Sequence, residues 1–135
     1  MNRTADTLLA LCVAAAGASA ASAAACPLQP GDGQHLTGDG VTLAWQVINR
    51  RHVPLAEPFA LLVMLCPTQA RLVGVDATMP AHRHGMNYRP SLQALGEGRW
   101  RVQGLLWHMA GTWSLRLDVA LDERPQVLRQ DVVLP

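Results

Sequence analysis

The sequence has almost no net charge and no lysine. Its eleven basic residues are all arginines, ten residues are acidic, and the formal net charge is +1 at pH 7. Such a balance does not predict binding to nucleic acid or to an acidic membrane surface, because both depend on an excess of basic side chains. The absence of lysine indicates no particular function.

Residue arrangements that catalysis would need are also missing from the sequence. It offers no pair of carboxylates suited to acid–base chemistry and no Ser-His-Asp arrangement. A reactive thiol is not expected, because the two cysteines that follow residue 25 should be oxidised. The sequence therefore predicts a protein that is not an enzyme, and a redox-active copper centre is the one catalytic route left open.

Long apolar runs are confined to the beginning of the chain. Residues 8–16 are apolar, and residues 17–25 consist of Gly, Ala and Ser alone. This layout is typical of a secretory signal peptide. No later segment approaches the roughly 20 apolar residues that a membrane span needs. We expect residues 1–25 to be the signal peptide and residues 26–135 to form a single domain of a periplasmic or otherwise exported protein.

Cys26 and Cys66 are the two cysteines that would remain after cleavage. The default in an oxidising compartment is a disulfide between them. Closing a loop of about 40 residues would stabilise the fold by roughly 4 kcal/mol. Two alternatives stay open: acylation of Cys26 as the first residue of a lipoprotein, and use of the cysteines as copper ligands.

The remainder of the chain shows the hydrophobic patterns of β-strands. About seven segments are predicted as strands: residues 41–48, 59–65, 71–78, 91–95, 99–107, 113–121 and 127–134. Turn signals separate them at intervals of about ten residues, and no convincing helix follows residue 25. These features predict an all-β fold, an immunoglobulin-like antiparallel β-sandwich. Residues 26–40 are expected to be irregular, with His35 and, further on, His52 in solvent.

Metal-binding side chains concentrate in residues 79–90. This stretch holds two of the five histidines and two of the five methionines, and two prolines and a glycine interrupt it, which is typical of a loop. His82, His84 and Met86 place two imidazoles and a thioether within five residues. Copper prefers such donors in either oxidation state. The alternative is a surface loop that carries two histidines by chance.

A hairpin is expected to bring a second cluster, His108-Met109, close to this loop. A three-residue connection at residues 96–98 would pair Leu95 with Arg99. If the ladder continues, His108 lies opposite Met86, with Cβ atoms about 5 Å apart. The expected metal ligands are therefore His82, His84, Met86, His108 and Met109.

The predicted ligands differ in how they should face the core. Strict alternation from Trp100 would turn His108 toward the core side and Met109 away, so we favour His108 and treat Met109 as auxiliary. Met79 is a further candidate thioether. Asp76 would either hydrogen-bond to a ligand histidine or be a plain exposed strand residue. In the non-metal interpretation, Met109 fills a gap in the core and His108 is a core-edge histidine.

The donor set favours copper over other metals. Zinc accepts histidine but seldom methionine, and iron oxygenase sites need a carboxylate beside two histidines. Residues 79–90 contain no Asp or Glu. Thioethers favour Cu(I), whereas imidazoles serve both oxidation states. A copper ion is therefore the expected cofactor.

Residues 75–86 and 104–113 resemble the YtkA-like family of exported bacterial domains. That family shows a Met-Pro, a His/Met/Gly-rich loop and a later Gly-Leu-x-Phe-x-Met-x-Gly-x-Trp pattern. This chain has Met79-Pro80, the loop, and a run from Gly104 to Trp113 with Trp107 in place of the Phe. The resemblance implies a small immunoglobulin-like β-sandwich and a role near metal traffic or a larger membrane assembly.

The spacing of Met86 and His108 is also similar to that of the periplasmic copper chaperones called PCuAC. Their motif is a Met, a gap of twenty-one residues and a His-x-Met. Here the gap from Met86 to His108 is twenty-one residues, but Met109 comes one place early and the family's upstream His-Met is absent. The similarity implies a His/Met site built from a loop and a strand.

Two functions follow from these patterns. The first is a periplasmic copper chaperone or buffer that exchanges copper with a copper-handling periplasmic or membrane protein. The second is a non-enzymatic interaction module that docks a partner through the same loop, with Arg83, Tyr88 and Arg89 as contact residues.

Overall fold

The computed structural model describes residues 26–29 and 33–135, so the predicted signal peptide lies outside the described residues. Nine strands follow one another within the described residues: β1 (Gln34–Thr37), β2 (Thr42–Val47), β3 (Phe59–Cys66), β4 (Arg71–Met79), β5 (His84–Gly85), β6 (Ser91–Gly96), β7 (Arg99–Leu105), β8 (Gly111–Leu121) and β9 (Arg124–Leu134). A short 3-10 turn, Pro80–His82, precedes β5. The sequence missed β1, which lies in a stretch predicted to be irregular, and β5, which lies in the predicted loop.

The strands form two antiparallel sheets. The first sheet has the order β1-β2-β3-β7-β6 and the second has the order β5-β4-β8-β9. The predicted all-β sandwich is therefore confirmed. Apolar side chains that alternate along the strands form the core between the sheets, as at Leu43, Trp45 and Val47 of β2, all of which are buried.

A disulfide joins Cys26 to Cys66, as predicted, with Cα atoms 5.2 Å apart. Cys66 ends β3 and pairs with Thr42 at the start of β2. The bond therefore lies at the end of the sandwich that also holds the β6–β7 turn, where Leu65 N–H donates to the carbonyl of Gly98. Because both sulfur atoms are used in this bond, neither cysteine is a metal ligand.

The β6–β7 hairpin has the predicted register over most of its length. Ser91 pairs with Gln103 and Ala94 with Trp100, and only at the turn does a bulge place Gly96, rather than Leu95, opposite Arg99. The ladder ends at Ser91, directly after Pro90, which has no N–H to donate. The expected pairing of Met86 with His108 is therefore wrong.

The expected direction of His108 is also wrong, and Gly104 is the reason. β3 pairs Ala60 with Gln103 but its neighbour Phe59 with Leu105, so Gly104 is an extra residue in β7. Its φ of +87° is a left-handed conformation that glycine adopts without penalty. The bulge exchanges the two faces, so that Leu105 and Trp107 after it are buried and His108 is exposed.

We expect Gly104→Val to lower the free energy of unfolding by about 2 kcal/mol, because a β-branched residue is strained at this φ. Urea denaturation followed by tryptophan fluorescence measures the change. Gln103→Val is the matched control, since Gln103 is exposed on the neighbouring position of the same strand and should shift stability by no more than about 0.5 kcal/mol. Equal stability of the two variants would contradict the role assigned to the bulge.

Candidate functional site

The loop after β4 folds back on its own strand. The 3-10 turn Pro80–His82 ends at Arg83, whose φ of +53° is left-handed and whose N–H donates to the carbonyl of Pro80. The chain then reverses, and His84 pairs with Met79. This reversal joins the loop to the second sheet rather than to β7, and it fixes His84 at the edge of that sheet.

Gly85 permits the close approach of β5 to β4. A Cβ atom at this position would lie 2.9 Å from the carbonyl oxygen of Ala77, which is closer than real Cβ atoms come. The next residue, Met86, donates its N–H to the same carbonyl over 3.3 Å. Any larger residue at position 85 would push His84 and Met86 away from the strand.

Three imidazoles lie in a row at this end of the sandwich. The ring centroids of His82 and His84 are 5.7 Å apart, and those of His84 and His108 are 5.3 Å apart with the planes inclined by 26°. His84 is half-buried in the middle, whereas His82 and His108 are exposed. The two clusters therefore meet, although the pairing that led us to expect this does not form.

Trp113 of β8 forms the wall behind the histidines. Its indole meets His108 edge to face at 5.7 Å and His84 at 6.3 Å. It stacks on Trp107 at 5.4 Å, and its N–H donates to the carbonyl of Met109 over 3.0 Å. The sequence predicts a strand over residues 113–121, but alternation alone gives no sign of which loop the edge of Trp113 will touch.

The side chains of the three methionines that are candidate ligands differ in accessibility. Met86 and Met109 are half-buried and pack against the core, whereas Met79 is buried, with only 1% of its surface exposed. The inversion after Gly104 explains why Met109 faces the core, contrary to expectation. Met86 and Met109 thus lie at the surface of the core beside the histidine row, and Met79 is a core residue.

The arrangement partly fits a metal ion. With metal–nitrogen bonds of about 2.0–2.1 Å, ring centroids of two imidazoles on one ion can be up to roughly 6 Å apart, which both observed separations satisfy. The Nε2 atom of His84 is buried and has no hydrogen-bond partner among the described residues. A buried nitrogen of this kind is normally satisfied by a partner, and a metal ion or an ordered water can supply that role.

The described residues do not form a preorganised metal site from nitrogen, thiolate and carboxylate ligands alone. In the described part of the chain, no group of three or more His, Cys, Asp or Glu residues is arranged to hold a metal ion. The near-parallel planes of His84 and His108 agree with this, because two stacked rings do not aim their nitrogens at one point. A shared ion requires the exposed His108 to rotate, with thioethers completing the ligand set.

The other polar candidates lie apart from this site. The carboxylate of Asp76 accepts a hydrogen bond from the N–H of Ala77, and the side chain is exposed, so Asp76 is a plain strand residue rather than a support for a histidine. His35 and His52 are exposed, as expected. Tyr88, in the predicted docking loop, is 50% exposed.

No helix within residues 26–29 and 33–135 has the length and apolar character needed to cross a membrane.

Comparison of the chain with protein-family models, curated proteins and solved structures gives no match. The histidine row, its tryptophan wall and the adjacent thioethers are therefore the basis on which a function is inferred.

Proposed function

We propose that this protein is an exported copper-binding protein, a periplasmic chaperone or buffer without catalytic activity. The observation that carries the proposal is the half-buried imidazole of His84, whose Nε2 has no hydrogen-bond partner among the described residues. It lies between two further histidines, with centroid distances of 5.7 and 5.3 Å. The ligands are His82, His84, Met86 and His108, with Met109 auxiliary.

The chemistry of the available donors supports copper over zinc. Zinc sites are completed by cysteine, histidine or carboxylate, and no cluster of three such residues is preformed in the described part of the chain. Methionine sulfur is a soft ligand that favours Cu(I). Met86 and Met109 both border the histidine row, so a mixed set of imidazoles and thioethers is the one that this surface can supply.

The exposure of the ligands supports transport or buffering. His82 and His108 are open to solvent, so a partner protein can reach the metal and exchange ligands with it. Such access suits delivery to a copper-handling periplasmic or membrane protein. The similarity to YtkA-like domains and to PCuAC chaperones, together with the signal peptide expected in residues 1–25, supports the same compartment and role.

An anaerobic Cu(I) titration against a chromophoric chelator tests the proposal. We expect the purified protein to withdraw one equivalent of Cu(I) with a Kd below about 1 nM. Zinc in the same buffer should bind far more weakly, because it gains little from thioethers. Failure to compete with the chelator at any protein concentration would remove the copper function.

Trp113→Phe is expected to weaken Cu(I) binding about tenfold, since the indole N–H fixes the backbone of Met109 beside the histidines. The matched control is Trp45→Phe. Trp45 is also buried and donates its N–H to Gln130, but it does not contact the histidines. Equal copper affinity of the two variants in the chelator competition would contradict the positioning role.

The second candidate function is an interaction module that docks a partner through the same loop. Tyr88 is half-exposed, and Arg83 and Arg89 beside it are exposed and have no ion-pair partner among the described residues. Aromatic and arginine side chains are enriched at interface hot spots. Capture of one partner equally well with Cu(I) and with chelator, and its loss in Tyr88→Ala, would favour this function.

A further inference from the structure

A concave surface away from the histidines lies at the open edge between the two sheets. A cavity of about 690 Å³ is bounded by the end of β2, by the last residues of β9 and by residues 50–53. Sites for small organic ligands usually measure about 300–1,000 Å³. The cavity contains none of the proposed copper ligands, so binding there does not depend on the metal site.

The floor of the cavity is apolar and fixed. Trp45 and Val47 belong to the core, with 4% and 7% of their surfaces exposed, and half-buried Val53 and Val132 extend the floor outward. The indole N–H of Trp45 donates to the side-chain oxygen of Gln130 over 2.9 Å. Because this bond holds the ring in place, Trp45 is a rigid base of the cavity, and the half-buried Val53 and Val132 present the apolar surface to a ligand.

The rim of the cavity is basic. Arg50, Arg51 and His52 line it, and none of the described Asp and Glu residues does. Arg50 forms an ion pair with Glu57 at 2.7 Å. Arg51 has no ion pair or hydrogen bond among the described residues, so its guanidinium is available to an anion at the mouth of the cavity.

We propose that this cavity binds a small organic anion with an apolar body. The carboxylate, sulfonate or phosphate group pairs with Arg51, where the planar guanidinium can donate two parallel hydrogen bonds. The apolar body lies on Val53 and Val132, above the buried ring of Trp45. An anion is favoured over a cation or a neutral molecule because, among the described residues that line the cavity, the ionisable side chains are all basic.

Two dyes that differ by one sulfonate test the proposal. We expect 8-anilinonaphthalene-1-sulfonate to bind the purified protein at least tenfold more tightly than N-phenyl-1-naphthylamine, its uncharged counterpart, because only the former can pair with Arg51. Fluorescence titration gives both affinities. Amide NMR shifts should locate the anionic dye at Val47, Val53 and Val132. Equal affinities, shifts elsewhere, or no binding would overturn the proposal.

A variant at the mouth of the cavity distinguishes the contribution of the charge to dye binding from that of the apolar floor. Arg51→Gln, at an exposed lining position, should weaken the anionic dye about tenfold and leave the neutral dye unchanged. Arg129→Gln, an exposed arginine of β9 away from the cavity, is the matched control and should bind both dyes as wild type does. If Arg51→Gln and Arg129→Gln behave alike, the anion does not bind at this rim and the proposal is wrong.

Discussion

The double variant His84→Gln, Met86→Leu is expected to lose at least about 100-fold in affinity for Cu(I). It removes the central imidazole, which is the one that lies close to both other histidines, together with the thioether two residues further along the chain. Met86→Leu is a volume-conserving hydrophobic exchange of a kind that usually costs less than about 1.5 kcal/mol of stability, and His84→Gln keeps a polar side chain at a half-buried position. The variant should therefore fold, and the anaerobic competition titration should report loss of binding alone.

A histidine variant away from the site provides the control. His35→Gln changes an exposed histidine of β1, which lies in the other sheet from His84, and should leave the Cu(I) affinity unchanged. Loss of affinity in both variants would indicate that copper binds to scattered histidines. Wild-type affinity in the double variant would show that His84 and Met86 are not ligands, and the docking function of the same loop would then take precedence.

The strands were predictable because local patterns determine them. Leu43, Trp45 and Val47 recur with the period of two that a half-buried strand requires, and all three are buried in β2. Residues 59–65 were predictable as a strand although they do not alternate, because both faces of β3 are largely covered and both can be apolar. The disulfide followed from the number of cysteines expected in an exported protein.

The way in which the site comes together was not predictable from the same patterns. Extending the β6–β7 ladder assumed that residues 86–90 continue the hairpin, but pairing ends at Ser91 and the loop instead pairs His84 with Met79. Which sheet a short loop joins depends on contacts distant in sequence. The clusters nevertheless meet, because both loops leave their sheets at the same end of the sandwich.

The direction of His108 depended on a single backbone conformation. Alternation places Trp100 and His108 on one face unless an extra residue intervenes, and Gly104 is that residue. A glycine inside a strand pattern is a sign of a bulge, but the pattern does not say whether a bulge forms. The contact of Trp113 with His84 and His108 was missed for a related reason, since it depends on where two loops lie.

Removal of the disulfide in the double variant Cys26→Ser, Cys66→Ser is expected to lower the free energy of unfolding by about 4 kcal/mol. The two cysteines are 40 residues apart, and the bond restricts the unfolded chain by closing that long loop. With a urea m-value of about 2 kcal/mol/M, the denaturation midpoint should fall by roughly 2 M. Wild-type protein in reductant should show the same shift, and the variant should not respond to reductant. An unchanged midpoint in both would mean that the bond contributes no net stability.

The same variant separates stability from metal binding. Cys66 ends β3 at one end of the sandwich, whereas Phe59, at the other end of β3, pairs with Leu105 shortly before His108. Eight residues of strand span roughly 23 Å, so the disulfide and the histidine row do not touch. Under conditions where the variant is still folded, its Cu(I) affinity should therefore match that of wild type. A large loss of affinity in the folded variant would imply that the cysteine sulfurs take part in copper binding, and it would replace the ligand set proposed here.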